Sequence, residues 1–169
     1  MNLRGLHKII YTLIDYPELV EKLVLAVTLC QPNETSKSVI SNWLLLAKEK
    51  DFKQIFIDTA EKTYTERKLK TYRPFYSILS KLTEPKNLDR FIIQATACLT
   101  HNALDEISKI QCPTFVIGGD NDKIVGSSSS CELANHIAQS KLKIYNGLGH
   151  STYEEAKDFN SQVLSFFDN

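Results

Sequence analysis

The chain lacks the features that most directly announce a function. It has no net charge: its Lys and Arg total 20, its Asp and Glu total 20, and no long block of one sign occurs. A nucleic-acid or anionic-membrane partner would need a basic field, so neither is expected. No close C-x-x-C pair is present. Cys30, Cys98, Cys112 and Cys131 stand far apart, which excludes the usual spacing of zinc and redox motifs and reads as buried thiols in a reducing compartment. No apolar run reaches the roughly 18 residues of a membrane helix. The opening MNLRGLHKIIYTLIDYPE is broken by His7, Lys8 and Asp15 and has no small-residue cleavage site, which argues against a signal peptide. A cytoplasmic protein is expected, with a small molecule or another protein as partner and no metal or organic cofactor.

What remains is ordinary globular composition. With 169 residues, 43% hydrophobic and 24% charged, the chain can fill one core. Leu6, Ile9, Ile10, Leu13 and Ile14 recur at helical spacing over 4–15. The run KLVLAVTL, 22–29, is short, continuous and rich in Val and Leu, as a strand of a parallel sheet buried on both faces would be. From 33 to 110 the pattern is helical: 36–48 around Trp43, 52–62, 66–82 with an interruption at Pro74, and 88–99 after Pro85 and Asn87. The aromatic residues of this block read as helix packing, or as the lining of a substrate pocket.

The last third changes rhythm. Strand 113–118, helix 129–139, strand 141–146 and helix 153–167 alternate with short connections, which predicts right-handed parallel crossover units. Functional residues collect at the carboxyl ends of such strands. GGDNDKIVG, 118–126, puts Asp120 and Asp122 there, and GLGHST, 147–152, does the same for His150. A histidine acts as general base when a carboxylate fixes its tautomer and stabilises the imidazolium. Taken singly, either aspartate could be a turn residue and the histidine a structural one. Acid then histidine on successive β-α units is, however, the order used in one large enzyme class.

The stretches IQCPTFVIGGDNDKIVG and ELANHIAQSKLKIYNGLGHSTYEEAKDFNSQVLSFF resemble the C-terminal portion of the α/β-hydrolase fold, where one strand ends in G-x-x-D and a later one in G-H. The match runs from Gly119 to Asp122, so the resemblance makes Asp122 the acid and His150 the base, and leaves Asp120 as a turn residue. Gly126 stands where the family often has proline. DYPELVEKLVLAVTL looks like the family's segment between the helix after the nucleophile and the next strand. The resemblance therefore implies a partial α/β-hydrolase fold of about three parallel strands with flanking helices, its core at 1–32 and 107–169, and a helical cap at 33–106.

The family's nucleophile stands in a G-x-S-x-G elbow, and that motif is absent. Counting back from Tyr16-Pro17 puts the elbow at about residues 1–5, where Leu3 would hold the nucleophile position. Ser127 to Ser130 read as a polar turn and helix cap, Ser151 lies on the wrong element, and Cys98 and Cys131 lack the strand-to-helix setting. The resemblance implies a serine hydrolase of ester, lactone or other acyl bonds, inactive as this isolated chain, with the missing strands supplied by an N-terminal half-domain partner; pairing of the exposed edge strand with a second copy, giving a homodimer, belongs to the other reading. A non-catalytic binding protein, using the cap pocket or an exposed edge strand, is the alternative.

Overall fold

The computed structural model describes Leu13 and residues 15–168. Most of the helix expected over 4–15 lies outside them, although Leu13 and Asp15 are helical and Leu13 is buried. The described sheet is parallel, with β1 (Leu23–Ala26), β2 (Thr114–Gly119) and β3 (Ser140–Tyr145) side by side in that order. Every residue of β2 is buried, because this central strand has a neighbour along each edge and apolar cover on each face. Its continuous apolar run is the sequence mark of that position.

β1 is half as long as expected. It stops where Val27 takes φ +44°, a left-handed conformation that a β-branched residue rarely adopts. The Val27 N–H still donates to Ile117 O at 2.9 Å, so the chain leaves the sheet while anchored to its central strand.

Between β1 and β2 lie α1 (Glu34–Lys48), α2 (Phe52–Thr63), α3 (Glu66–Tyr72), α4 (Tyr76–Leu82), α5 (Asp89–Thr100) and the short α6 (Leu104–Ile107). Asn33 starts α1 through a reciprocal capping box with Ser36. Its Nδ2 also donates to Val125 O at 2.6 Å, tying the start of the block to the loop after Asp122. Pro74 separates α3 from α4 as a single 3₁₀ turn, Arg73–Phe75, since it has no N–H for an uninterrupted helix. Leu88, rather than Asn87, occupies the cap position of α5.

After β2 come α7 (Ser129–His136), β3, α8 (Thr152–Glu155) and α9 (Phe159–Asp168). The helix expected to reach residue 139 ends at His136, because the extended Ile137 turns its side chain into the core. The helix expected over 153–167 is split at the extended Ala156. The break lets α8 stay with the histidine turn while α9 returns to the sheet, where the Phe166 and Phe115 rings lie 5.4 Å apart.

Two buried clusters decide where the acid loop sits. Leu23, Leu25, Val116, Leu133 and Ile137 pack strands against α7. Ile124 and Val125, the second and third residues after Asp122, insert among Val39, Ile40, Trp43, Ala95 and Cys98 of the helical block. Burying each such side chain contributes about 1.5–3 kcal/mol. The acid loop is thus pinned by apolar packing, and the carboxylate's position follows from it.

Candidate active site

Asp122 and His150 come from the turns after β2 and β3, and the backbone binds those turns to each other. Asp120 N–H donates to Tyr145 O at 3.2 Å, and Asn121 N–H to Leu148 O at 3.0 Å. The Asp120 carboxylate accepts the Gly147 N–H at 2.7 Å. Asp120 therefore holds the histidine turn and faces away from the acid–base pair. Gly119 permits the approach: a Cβ there would lie 2.2 Å from Leu148 O and 2.7 Å from Gly149 O.

His150 Nδ1 lies 2.9 Å from Asp122 Oδ2. Asp122 Oδ1 accepts the backbone N–H groups of Ile124 and Val125 at 2.8 and 2.9 Å. A carboxylate only accepts, so the proton between the two residues belongs to Nδ1 and the lone pair to Nε2. The Asp122 side chain is 2% exposed and that of His150 13%, which keeps the contact dry while leaving the ring one open edge. No hydrogen-bond partner meets Nε2 among the described residues. His150 borders a cavity of about 920 Å³, walled by Ala26 and Val27 at the end of β1 and by α1, α2, α4 and α5.

The helical block grips the histidine turn directly. Ser151 N–H donates to Thr63 O at 3.2 Å, and the Ser151 hydroxyl lies 2.9 Å from Thr63 O and 2.7 Å from Glu155 Oε2. The buried Glu155 carboxylate also takes the Thr65 backbone N–H at 3.0 Å and the Thr65 hydroxyl. Burial alone would raise the Glu155 carboxyl; the hydrogen bonds from Thr65 and Ser151 outweigh it and hold the group below its ordinary range.

A carboxyl lowered by folding stabilises the protein above its unfolded pKa, and that contribution fades as pH falls through the folded value. Glu155→Gln is therefore expected to cost about 1–3 kcal/mol at neutral pH, the range for a buried hydrogen-bonding group left imperfectly paired. The gap between the variants should narrow below about pH 4, where carboxyls protonate. Thermal melts of both proteins across that range check it; a gap independent of pH would show that the charge of Glu155 is irrelevant.

Sequence reasoning brought out Asp122 and His150, and the structure joins them. It did not find Thr65 or Glu155: Ser151 with acids at 154 and 155 looks like an ordinary capping box, and only the fold brings Thr65 to it. Ser129, Ser130 and Ser151 are otherwise engaged. Ser128 starts α7 without a side-chain cap, Ser129 Oγ donates to Val125 O, and Ser130 Oγ lies 3.5 Å from Ile117 O. Burial pushes the thiols of Cys30 and Cys98 up to about 11, the wrong direction for a thiolate nucleophile. Cys112 and Cys131 are only half-buried, less than expected. The stretch expected to hold the elbow, with Leu3, lies outside the described residues. Among the described residues no His, Cys, Asp and Glu group has the makings of a metal site, and no helix is long and apolar enough to cross a membrane.

Comparison with known proteins follows the same lines. A family model described as "Serine aminopeptidase, S33" matches residues 5–157. The 2-hydroxy-6-oxononadienedioate/2-hydroxy-6-oxononatrienedioate hydrolase of Klebsiella pneumoniae subsp. pneumoniae is 29% identical over a 182-residue alignment covering 98% of this chain and 60% of that protein. Among solved structures, MGS-M2, an alpha/beta hydrolase enzyme from a Medee basin deep-sea metagenome library, superposes with a TM-score of 0.83 at 22% identity. The match covers 95% of this chain and 60% of that one. The enol-lactonase from Burkholderia xenovorans LB400 gives 0.79 at 16% identity, covering 95% and 61%. The chain thus spans about 60% of the length of the relatives it matches.

Proposed function

Since the chain belongs to the serine aminopeptidase S33 family of α/β-hydrolases, we propose that it contributes the acid, the base and the substrate-covering helices of a serine hydrolase acting on an ester, lactone or other acyl bond. The observation that carries this reading is the 2.9 Å contact between His150 Nδ1 and Asp122 Oδ2, with His150 itself bordering a cavity. Nε2 takes the proton of an attacking hydroxyl, and the adjacent carboxylate stabilises the imidazolium that results. The proton then returns to the leaving group, and water repeats the cycle on the acyl intermediate. The hydroxyl comes from a segment that is not among the described residues, in the same polypeptide or another. Residues 33–106 act as the cap, since they wall the cavity that His150 borders.

The dioate of the Klebsiella relative's name is a dicarboxylate. That substrate is not transferred here, because the described wall of this cavity has no Lys or Arg.

The test uses a p-nitrophenyl ester. The chain alone should give no turnover above buffer. Assembled with a segment that carries the nucleophile elbow, it should hydrolyse the ester, and His150→Ala should remove nearly all of that rate. Turnover indifferent to His150 would sink the proposal. A ligand that binds the cavity in an assembly that never turns over would favour the alternative of a non-catalytic binding protein.

A further inference from the structure

The cavity beside His150 is built from rings and hydrocarbon. Trp43, Phe52, Phe56, Tyr64, Tyr76 and Phe91 border it, and no Lys, Arg, Asp or Glu does so among the described residues. Several charges of the surrounding helices are paired, although Lys68 Nζ stands 5.6 Å from the ring centre of Tyr72, which also borders the cavity. Asp58 accepts the Trp43 Nε1–H at 2.6 Å and pairs with Lys62. Glu61 and Glu66 clasp Arg73. The tyrosine hydroxyls follow the same pattern, that of Tyr76 donating to Glu61 at 3.0 Å and that of Tyr64 reaching Glu154 at 3.4 Å. None of these carboxylates borders the cavity, so the polar tips of Trp43, Tyr64 and Tyr76 are bound to groups outside its wall.

The walls are also set in advance. Tyr64 and Tyr72 form an edge-to-face pair with centroids 5.2 Å apart, and Phe56 and Tyr76 another at 6.0 Å. Packed rings lose little freedom when a ligand arrives. A carboxylate entering this space would give up its hydration and find no cation, whereas a neutral ring or branched chain would gain apolar contact. The uncharged polar groups at the wall, the amide of Gln94 and the hydroxyls of Thr28 and Thr59, suit a carbonyl or ether oxygen.

We propose that the ligand of this cavity is an uncharged acyl compound bearing an aryl or branched aliphatic group, and that mono- and dicarboxylates are excluded. The word acyl rests on the hydrolase reading above; the neutrality and apolarity rest on the cavity alone.

Trp43 is the chain's single tryptophan and borders the cavity, so its fluorescence reports occupancy without any turnover. The probes are benzylacetone, a ketone that cannot be hydrolysed, and hydrocinnamate, which has the same phenylethyl body ending in a carboxylate. Both are titrated against the full chain at about pH 8, where an ordinary histidine is neutral. Benzylacetone should give a saturable change, and hydrocinnamate should bind at least about tenfold more weakly, given the cost of leaving a buried charge unpaired. Gln94→Lys, a change of similar length and helix propensity at a half-buried position, should narrow or reverse that preference. Equal or tighter hydrocinnamate binding by the unaltered chain overturns the proposal, and so does the lack of any saturable response to benzylacetone. Selective ketone binding together with failed ester hydrolysis by the assembly that carries the elbow would sink the hydrolase reading and leave this inference standing.

Discussion

Asp122→Asn, in an assembly that hydrolyses esters, is expected to lower kcat by about 10⁴-fold, the loss typical when the carboxylate partner of a catalytic histidine becomes an amide. Asp122 now supplies three things: an acceptor for His150 Nδ1–H, an acceptor for two backbone N–H groups, and a negative charge beside the ring. The amide keeps the size and can still accept from the backbone through its oxygen. Its nitrogen then faces Nδ1 as a donor, which moves the ring proton to Nε2 and removes the base. The cavity wall does not include Asp122, so KM should change little. Steady-state kinetics with a p-nitrophenyl ester separates the two constants; a loss below about tenfold would mean that the pair is structural.

Gly119→Ala is expected to cost about 3 kcal/mol or more of folding stability, at the upper end of overpacking effects. The added Cβ would lie 2.2 Å from Leu148 O and 2.7 Å from Gly149 O, both backbone atoms of the histidine turn. A side chain in the way can rotate, but these carbonyls cannot move without carrying His150 with them. Gly118→Ala should also be costly, since the added Cβ would lie 2.2 Å from the Ser130 hydroxyl, which can rotate, and 2.8 Å from Ser130 Cβ, which is fixed to α7. Gly147→Ala is the control: φ is +73° and nothing lies within 4 Å of its Cβ, so the cost should be only the left-handed backbone penalty of about 1–2 kcal/mol. Urea unfolding of the three variants ranks them. A Gly119 variant no worse than the Gly147 one would mean that the two turns are not locked as described.

Much of the fold was legible along the chain because the signals were local. The apolar run of β2, the 3.6-residue period of α1, α2 and α5, and the break at Pro74 each depend on neighbours within a few residues. Asp122 and His150 were legible for a related reason: parallel β-α units deliver successive strand ends to the same edge, so two motifs 28 residues apart in sequence become neighbours.

What the chain by itself determined, then, was most of the order of its elements, set by short-range periodicity, and, through the family motifs, the class of the fold and the two residues, Asp122 and His150, that the structure brings into contact. Tertiary structure alone decided the rest. Val27 ends β1 in a left-handed conformation while its N–H stays anchored to Ile117, and Ala156 breaks the last helix so that α9 can reach Phe115. Glu155 becomes a clamp because α3 brings Thr65 to it across 90 residues. The described cavity wall carries no Lys, Arg, Asp or Glu, and Asp58, Glu61 and Glu66 pair with Lys62 and Arg73 instead. Each of these depends on contacts between residues remote in sequence, whose pairing no local pattern encodes.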